Sequence, residues 1–165
     1  MKTRKEIINE IKTIETRGGV YKWYMTKEGA GQLGIPLEGT TVKNNLHLVY
    51  IGESKDMRMR LEWHTDDKHK PGSIKSGFLS VLRQKLNTLL TGRWDGKEEV
   101  DYFMDQHMKV EFEYTNNYKE LQNQEIKNNP SPLNSQKSPY FPEFRRELRK
   151  RNSQAKRNTI EGLES

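Results

Sequence analysis

Apolar residues at helical spacing predict four amphipathic helices in the chain. The clearest stripes contain Ile7, Ile11 and Ile14 near the N-terminus and Leu82 and Leu86 further along, each with polar residues on the opposite side. The predicted helices cover about residues 4–15, 74–90, 97–108 and 117–128. Each of them has one apolar face that can pack against a common core.

Three other segments have the composition and the alternation of β-strands. Residues 20–25 are rich in β-branched and aromatic side chains, and residues 46–52 are apolar enough for a central strand. Residues 109–114 alternate charged positions with Val110 and Phe112, as a half-buried strand does. We therefore expect an α/β fold in which a small mixed or antiparallel sheet of about three strands is flanked by helices.

The segments between these elements predict the domain organisation. Residues 27–45 are rich in glycine and predict a loop or an irregular hairpin, inserted between the first two strands. We expect one domain over residues 1–142, which includes the N-terminal helix and this insertion. Residues 143–165 are expected to form a basic helix followed by a disordered tail.

Composition limits the classes of function that the chain can have. Its 165 residues are 32% hydrophobic, which suits one compact domain, and the absence of cysteine excludes disulfides, thiol nucleophiles and thiolate metal sites. Any metal must be held by oxygen or nitrogen ligands. The net charge of +6 favours a polyanionic partner such as nucleic acid, although charge alone is a weak signal. No apolar run approaches the ~20 residues of a membrane span, so we expect a cytoplasmic protein that binds no membrane.

Chemically useful side chains are expected to meet at one edge of the sheet. If the first two strands pair, Tyr21 and Tyr50 lie close together. The helix that follows the second strand carries Arg60 and His64 one turn apart on the same face. Glu125 lies on the apolar stripe of the last core helix, which is an unusual place for a carboxylate. The spacing thus predicts a group of two phenols, a guanidinium, an imidazole and a candidate carboxylate.

These residues resemble the sequence pattern of the GIY-YIG nuclease family. The pattern has six pieces in order, namely GVY at 19–21, YIG at 50–52, Arg60, His64, Glu125 and PLN at 132–134. Each piece is short, but six in one order are specific, and they cover about residues 19–134. The resemblance implies a small antiparallel sheet flanked by helices. It also implies hydrolysis of phosphodiester bonds, usually in DNA, assisted by one divalent metal ion.

The resemblance implies a role for each residue of this set. Tyr21 is expected to be the general base, and Arg60 is expected to hold the phosphate oxygens and to favour the phenolate. Tyr50 and His64 are expected to position the water, relay a proton or contact phosphate, in roles that the sequence leaves interchangeable. Glu125 is expected to bind one Mg²⁺ or Mn²⁺ ion, and which tyrosine acts as the base stays open.

Two basic features are candidates for contact with nucleic acid. Arg58 stands two residues before Arg60 and is the functional arginine in the alternative in which the helix is rotated. The C-terminal helix carries a basic cluster, consisting of Arg145, Arg146, Arg149 and Lys150. Such a cluster is either a solvated face or a contact that holds phosphates without sequence preference.

The sequence predicts a DNA endonuclease and leaves two other functions open. One is a noncatalytic nucleic-acid-binding module that keeps the fold without turnover, and the other is a protein whose basic helix docks an acidic partner. The 28 residues between Tyr21 and Tyr50 exceed the family spacing, which indicates an insertion at the strand connection. The oligomeric state is not predicted, and a dimer or a partner protein is one source of specificity.

Overall fold

A four-stranded antiparallel sheet forms the centre of the structure, a computed structural model that describes residues 1–66 and 79–164. The strands are β1 (Gly19–Thr26), β2 (Val42–Lys43), β3 (Leu46–Ser54) and β4 (Met108–Tyr114). Their order across the sheet is β2-β3-β1-β4, and both neighbours of β1 run antiparallel to it. The predicted α/β class is confirmed, with one short strand more than expected.

Seven α-helices in the described residues flank this sheet, and a short 3-10 helix (Ile11–Thr13) follows the first of them. The seven are α1 (Arg4–Glu10), α2 (Lys27–Leu33), α3 (Met57–Thr65), α4 (Val81–Thr91), α5 (Lys97–His107), α6 (Tyr118–Asn128) and α7 (Pro142–Glu164). None of these helices is long and apolar enough to cross a membrane. The bounds of α5 and α6 agree with the predicted helices to within one residue.

Successive residues of β1 point to opposite faces of the sheet, and this divides the core in two. On the first face, called the Tyr21 face, Tyr21 and Trp23 pack in a core to which α1–α5 and α7 all contribute buried residues. On the second, called the Lys22 face after Lys22, Tyr24 packs in a smaller core that contains Ile126 of α6. The face on which a side chain lies therefore decides which helices it can meet.

The insertion at residues 27–45 contains more regular structure than predicted. It holds α2 and β2, and Asn44 and Asn45 turn the chain from β2 into β3 with φ angles of 54° and 63°. Asparagine tolerates this left-handed conformation, so the short hairpin is well suited to its turn residues. The sequence pattern missed α2 because Gly29 and Gly31 are poor helix formers.

The predicted helix with the stripe of Leu82 and Leu86 is α4, which begins at Val81. Both leucines are fully buried, as the pattern predicts. Residues 74–78, the start of the predicted helix, lie outside the described residues. Leu79 and Ser80 are not helical, and Ser80 caps α4, so the prediction is confirmed for residues 81–90 and wrong for residues 79 and 80.

The C-terminal segment corrects the predicted disorder. Helix α7 continues to Glu164, so the polar end of the chain is helical. Ala155 and Thr159 are buried, and the backbone N–H of Trp94 donates a 2.8 Å hydrogen bond to the Thr159 hydroxyl. Because these contacts join residues far apart in the chain, the local composition does not reveal them. The division of the chain at residue 142 into two parts stays a prediction.

Candidate active site

The two tyrosines of the sequence pattern lie side by side on the Tyr21 face. Their ring centroids are 6.3 Å apart, with Tyr21 on β1 and Tyr50 on β3. Gly52 lies opposite Tyr21 in the sheet, and a Cβ atom there would come within 2.2 Å of the Tyr21 hydroxyl oxygen. A side chain at position 52 would displace the Tyr21 phenol, so this place requires glycine.

A chain of hydrogen bonds runs from Tyr21 through His64 to Ser80. The Tyr21 hydroxyl lies 2.6 Å from His64 Nε2, and His64 Nδ1 lies 2.9 Å from the Ser80 hydroxyl. Ser80 also caps α4, because its hydroxyl accepts a hydrogen bond from the backbone N–H of Arg83. The chain thus joins β1, the end of α3 and the start of α4, and its three side chains are buried.

Burial sets the charge states of Tyr21 and His64 in this series of hydrogen bonds. It raises the pKa of Tyr21 well above the usual value of 10.0, although the nearby Arg60 opposes the rise. It lowers the pKa of His64 well below its usual value, and the positive charges of Arg60 and Arg83 lower that pKa further. At neutral pH Tyr21 is therefore a neutral phenol and His64 a neutral imidazole. A neutral imidazole can accept a proton at one nitrogen and donate from the other, as a proton relay requires.

Arg60 is the guanidinium whose charge reaches both phenols. It opposes the rise in pKa that burial causes at Tyr21 and at Tyr50. Its guanidinium carbon lies 5.4 Å from the centre of the Trp63 ring, and its Nη1 makes a long contact of 3.4 Å to the Glu53 carbonyl oxygen. Its Nε–H is buried and has no hydrogen-bond partner within the described residues. A buried donor without a partner is costly, and the guanidinium as a whole carries a permanent positive charge that can attract an anion.

The neighbouring Arg58 is engaged elsewhere. Its Nε donates to the Ile14 carbonyl oxygen at 2.6 Å and its Nη2 to the Lys12 carbonyl oxygen at 3.0 Å. These two bonds tie α3 to the segment that follows α1. Of the two arginines that the sequence leaves as alternatives, the structure brings Arg60 to the phenols.

Glu125 does not join the tyrosines. It forms an ion pair with Lys22 at 2.9 Å, and its carboxylate accepts a 3.0 Å hydrogen bond from Asn129. Lys22 directly follows Tyr21 in β1, so its side chain lies on the other face of the sheet. The expectation that Glu125 lies beside Tyr21 and Tyr50 is corrected accordingly, and its role as a metal ligand stays a prediction. The physical reason is that α6 packs on the Lys22 face, where the stripe that carries Glu125 meets β1.

Two amides, Gln122 and Asn134, approach Tyr50 instead. Asn134 donates to the Ile51 carbonyl oxygen and accepts from the Ile51 N–H, each at 2.8 Å, and thereby satisfies the free edge of β3. Gln122 of α6 donates to the same carbonyl oxygen at 3.3 Å. Both side chains line a cleft of about 210 Å³ next to Tyr50. The role of Asn134, which the sequence leaves open, includes holding β3 beside this cleft.

Sequence reasoning missed Lys85, a buried cation next to Tyr50. Its ammonium lies 5.8 Å from the centre of the Tyr50 ring and donates a hydrogen bond to the Leu133 carbonyl oxygen. Burial lowers the pKa of Lys85 to about 7, and the charges of Arg145 and Arg149 lower it too. The only signal in the sequence was a lysine inside the apolar stripe of α4. Ser80 was missed as well, because nothing local links it to His64.

The four basic residues of the predicted cluster divide between two sides of α7. Arg145 and Arg149 line a second cleft, of about 220 Å³, which also contains Lys85. Arg146 and Lys150 are exposed and belong to the described lining of neither cleft. The structure therefore brings two of the four into the cleft that contains Lys85.

Comparison with known families identifies the family to which this chain belongs. The family described as the GIY-YIG catalytic domain matches residues 19–156, which is most of the chain. The chain belongs to the GIY-YIG family. No curated protein and no solved structure gives a significant match.

Membership in the GIY-YIG family implies a nuclease, and so a hydrolase whose substrate is a nucleic acid. GIY-YIG nucleases generally depend on a divalent metal ion. The described residues do not fit such an ion at the tyrosines, because Glu125 is paired with Lys22 on the other face. In residues 1–66 and 79–164, no group of three or more metal-binding side chains is placed to hold an ion. The polar side chains that line the cleft next to Tyr50 are amides, lysines and the Ser135 hydroxyl. Glu53 lies outside this lining, although its charge reaches Tyr50 and raises the pKa of that phenol.

Proposed function

We propose that this GIY-YIG domain is a DNA endonuclease, which hydrolyses phosphodiester bonds by water attack beside Tyr21 and His64. The observation that carries the proposal is their buried hydrogen bond, next to an Arg60 Nε–H that no described residue satisfies. Phosphodiester hydrolysis needs a proton acceptor near the phosphorus and positive charge on the nonbridging oxygens. The Tyr21–His64 pair and Arg60 are suited to these two tasks.

In this proposal Tyr21 is the general base and His64 takes its proton. His64 donates from Nδ1 to the Ser80 hydroxyl and accepts at Nε2 from the Tyr21 hydroxyl, in keeping with the two distances. As the water oxygen bonds to phosphorus, the water passes a proton to Tyr21, and Tyr21 passes its own proton to Nε2. The P–O3′ bond breaks, and the 3′ oxygen takes a proton from solvent. This route avoids a free phenolate, which the burial of Tyr21 disfavours.

Arg60 and Tyr50 hold the substrate in this proposal. The planar guanidinium of Arg60 can donate two parallel hydrogen bonds to phosphate oxygens, which a lysine ammonium cannot do. Tyr50 is half-buried at the edge of the cleft, where its hydroxyl can donate to a phosphate oxygen. The two residues thus fix the phosphorus in front of Tyr21.

The proposal assigns no step to a metal ion. The sequence leads us to expect one Mg²⁺ or Mn²⁺ ion, but its expected ligand, Glu125, is paired with Lys22. Whether cleavage depends on an ion is therefore a question for the assay, which includes separate arms with EDTA, Mg²⁺ and Mn²⁺.

A plasmid-nicking assay tests the proposed function. Supercoiled plasmid is incubated with the wild type, Tyr21→Phe, Arg60→Lys and the matched control Arg58→Lys, which makes the same change on the same helix. We expect nicking by the wild type in at least one arm, and about 100-fold less by Tyr21→Phe. Arg60→Lys should lose about tenfold or more, because it loses the bidentate grip, whereas Arg58→Lys should stay within about threefold. Equal nicking by all four proteins would refute the site.

A noncatalytic nucleic-acid-binding module is the second candidate function. The observation that favours it is the lack of any carboxylate in the described linings of the two clefts. This candidate predicts that the wild type shifts DNA in a gel but leaves plasmid intact in all three arms. The nicking assay and a gel shift on the same preparation separate the two functions.

A further inference from the structure

Four cationic side chains line two neighbouring clefts, one of which contains Tyr50. The first cleft is lined by Tyr50, Lys85 and Lys137 together with neutral residues. The second is lined by Lys85, Arg145 and Arg149, again with neutral residues. Because Lys85 lines both clefts, they share part of a wall.

No carboxylate balances these cations in the part of the chain that the structure describes. Neither lining contains an aspartate or a glutamate, and no ion pair joins Lys85, Arg145 or Arg149 to a described residue. Arg145 donates to the backbone carbonyl oxygens of Tyr140 at 2.6 Å and Ser135 at 3.4 Å. The positive charges are thus held in place by neutral groups and repel one another, which favours an anionic ligand.

The position of Lys85 is costly in the free protein. Only 4% of its surface is exposed, and the Leu133 carbonyl oxygen satisfies one of the three donors of its ammonium. The face of the Tyr50 ring offers a weak second partner. A leucine or methionine would fill this place in the stripe of α4 without burying a charge. The cost of the lysine therefore argues that its charge has a use.

We propose that Lys85, Arg145 and Arg149 bind a backbone phosphate of the nucleic acid, flanking the phosphate that Arg60 holds. The inference rests on the proposed function, because it extends the same substrate from Tyr21 into the clefts. Phosphate suits the site because arginine forks and a lysine point charge are common partners of its oxygens. Such a site adds affinity and fixes the register of the strand without reading bases.

The charge state of Lys85 reports on this ligand. The titratable and charged groups that face it are Tyr50 from β3, Arg145 and Arg149 from α7, and Lys137 from the segment before α7. Burial and the arginines disfavour its ammonium, and a bound phosphate would favour it. Phosphate binding should therefore raise the pKa of Lys85 from its value of about 7.

The test follows Lys85 by NMR in the full-length wild-type chain, labelled with ¹³C at lysine Cε. Its signal is assigned by its loss in Lys85→Met. Titrations are recorded on the free protein, with inorganic phosphate, with a thymidine oligonucleotide, and with the same oligonucleotide carrying uncharged methylphosphonate linkages. We expect the phosphodiester oligonucleotide to raise the midpoint by about one pH unit or more, and the methylphosphonate to leave it unchanged.

An unchanged midpoint with the phosphodiester oligonucleotide, or an equal rise with the methylphosphonate, would overturn the inference. A rise with inorganic phosphate and none with the phosphodiester oligonucleotide would also overturn it, because the site would then hold free anions and not a strand. The readout needs no turnover, so it separates this inference from the proposed function. A chain that shows the rise and never cleaves DNA refutes the endonuclease and supports the phosphate site. A chain that cleaves without the rise refutes the phosphate site.

Discussion

Tyr21 and His64 share one short hydrogen bond, and their charge states decide how cleavage depends on pH. Burial holds the pKa of Tyr21 well above its usual value and that of His64 well below its own, so neither group titrates near neutral pH. The relay requires a neutral His64, which stays neutral as the pH rises. We therefore expect the single-turnover cleavage rate at saturating DNA to be nearly constant between about pH 6.5 and 9.

Rates measured across this pH range check the relay between Tyr21 and His64. If a free phenolate were the base, the rate would rise about tenfold per pH unit, and the relay would be refuted. His64→Asn keeps a polar side chain but loses the proton acceptor. We expect this variant to cleave about 100-fold more slowly at neutral pH and to show the steep rise that the wild type lacks.

Gln122 and Glu125 lie three residues apart on α6 and meet different surroundings. Glu125 pairs with Lys22, whereas Gln122 lines the cleft next to Tyr50. We expect Glu125→Gln to leave cleavage and DNA affinity within about twofold, at a cost in stability of about 1 kcal/mol or less. Gln122→Glu should weaken DNA binding in EDTA by about tenfold, because the new carboxylate repels phosphate.

Fluorescence anisotropy with labelled DNA in EDTA measures both affinities, and thermal melts of both variants verify the fold. The two substitutions change the charge by one unit in opposite directions on one helix, so each serves as a control for the other. A large loss with Glu125→Gln and none with Gln122→Glu would mean that α6 presents Glu125 to the substrate, contrary to the geometry described here.

Helix α7 carries two pairs of cationic residues, and the two members of each pair are four residues apart. Arg145 and Arg149 line the second cleft, and Arg146 and Lys150 are exposed outside it. Changing either pair to glutamine removes two charges. We expect the loss of Arg145 and Arg149 to weaken DNA binding by about 30-fold and to reduce the slope of log affinity against log salt by about two. Loss of the other pair should cost about threefold.

Affinities measured at several salt concentrations decide between the two pairs on α7. Equal losses and equal slopes would show that the helix acts through its overall charge, and the cleft would then have no special part in binding. Helical content by circular dichroism is the control, since both double variants keep the buried residues of α7.

The sequence predicted elements better than it predicted the contacts between them. Alternation and helical spacing were enough to find β1, β3, β4, α5 and α6. The stripe of Glu125 was visible, but a stripe does not say which face of the sheet its helix covers, and that choice separates Glu125 from Tyr21. Lys85 and Thr159 were missed for a related reason, because their burial depends on partners far away in the chain.

Burying Lys85 lowers the stability of the whole folded molecule, and this predicts how the free energy of unfolding depends on pH. Its pKa falls from 10.5 to about 7 on folding, so between these values the unfolded chain binds more protons than the folded one. Stability should therefore rise with pH in this window and be lowest, for this group, below pH 7. We expect Lys85→Met to be more stable than the wild type at pH 6.

Urea unfolding of the wild type and Lys85→Met at several pH values measures this difference. The gain from the substitution should shrink by at most about 1.4 kcal/mol per pH unit as the pH rises above 7. A Lys85→Met variant that is less stable than the wild type at every pH would show that the lysine is a structural residue, held by Leu133 and Tyr50.

The measurement that tests the central claim most directly is single-turnover cleavage of a defined DNA duplex by the wild type and by Tyr21→Phe, with DNA affinity measured in parallel. Phenylalanine removes only the hydroxyl that lies 2.6 Å from His64 Nε2. We predict a rate that falls by about 100-fold or more while the affinity stays within about twofold. A Tyr21→Phe variant that cleaves as fast as the wild type would contradict the account.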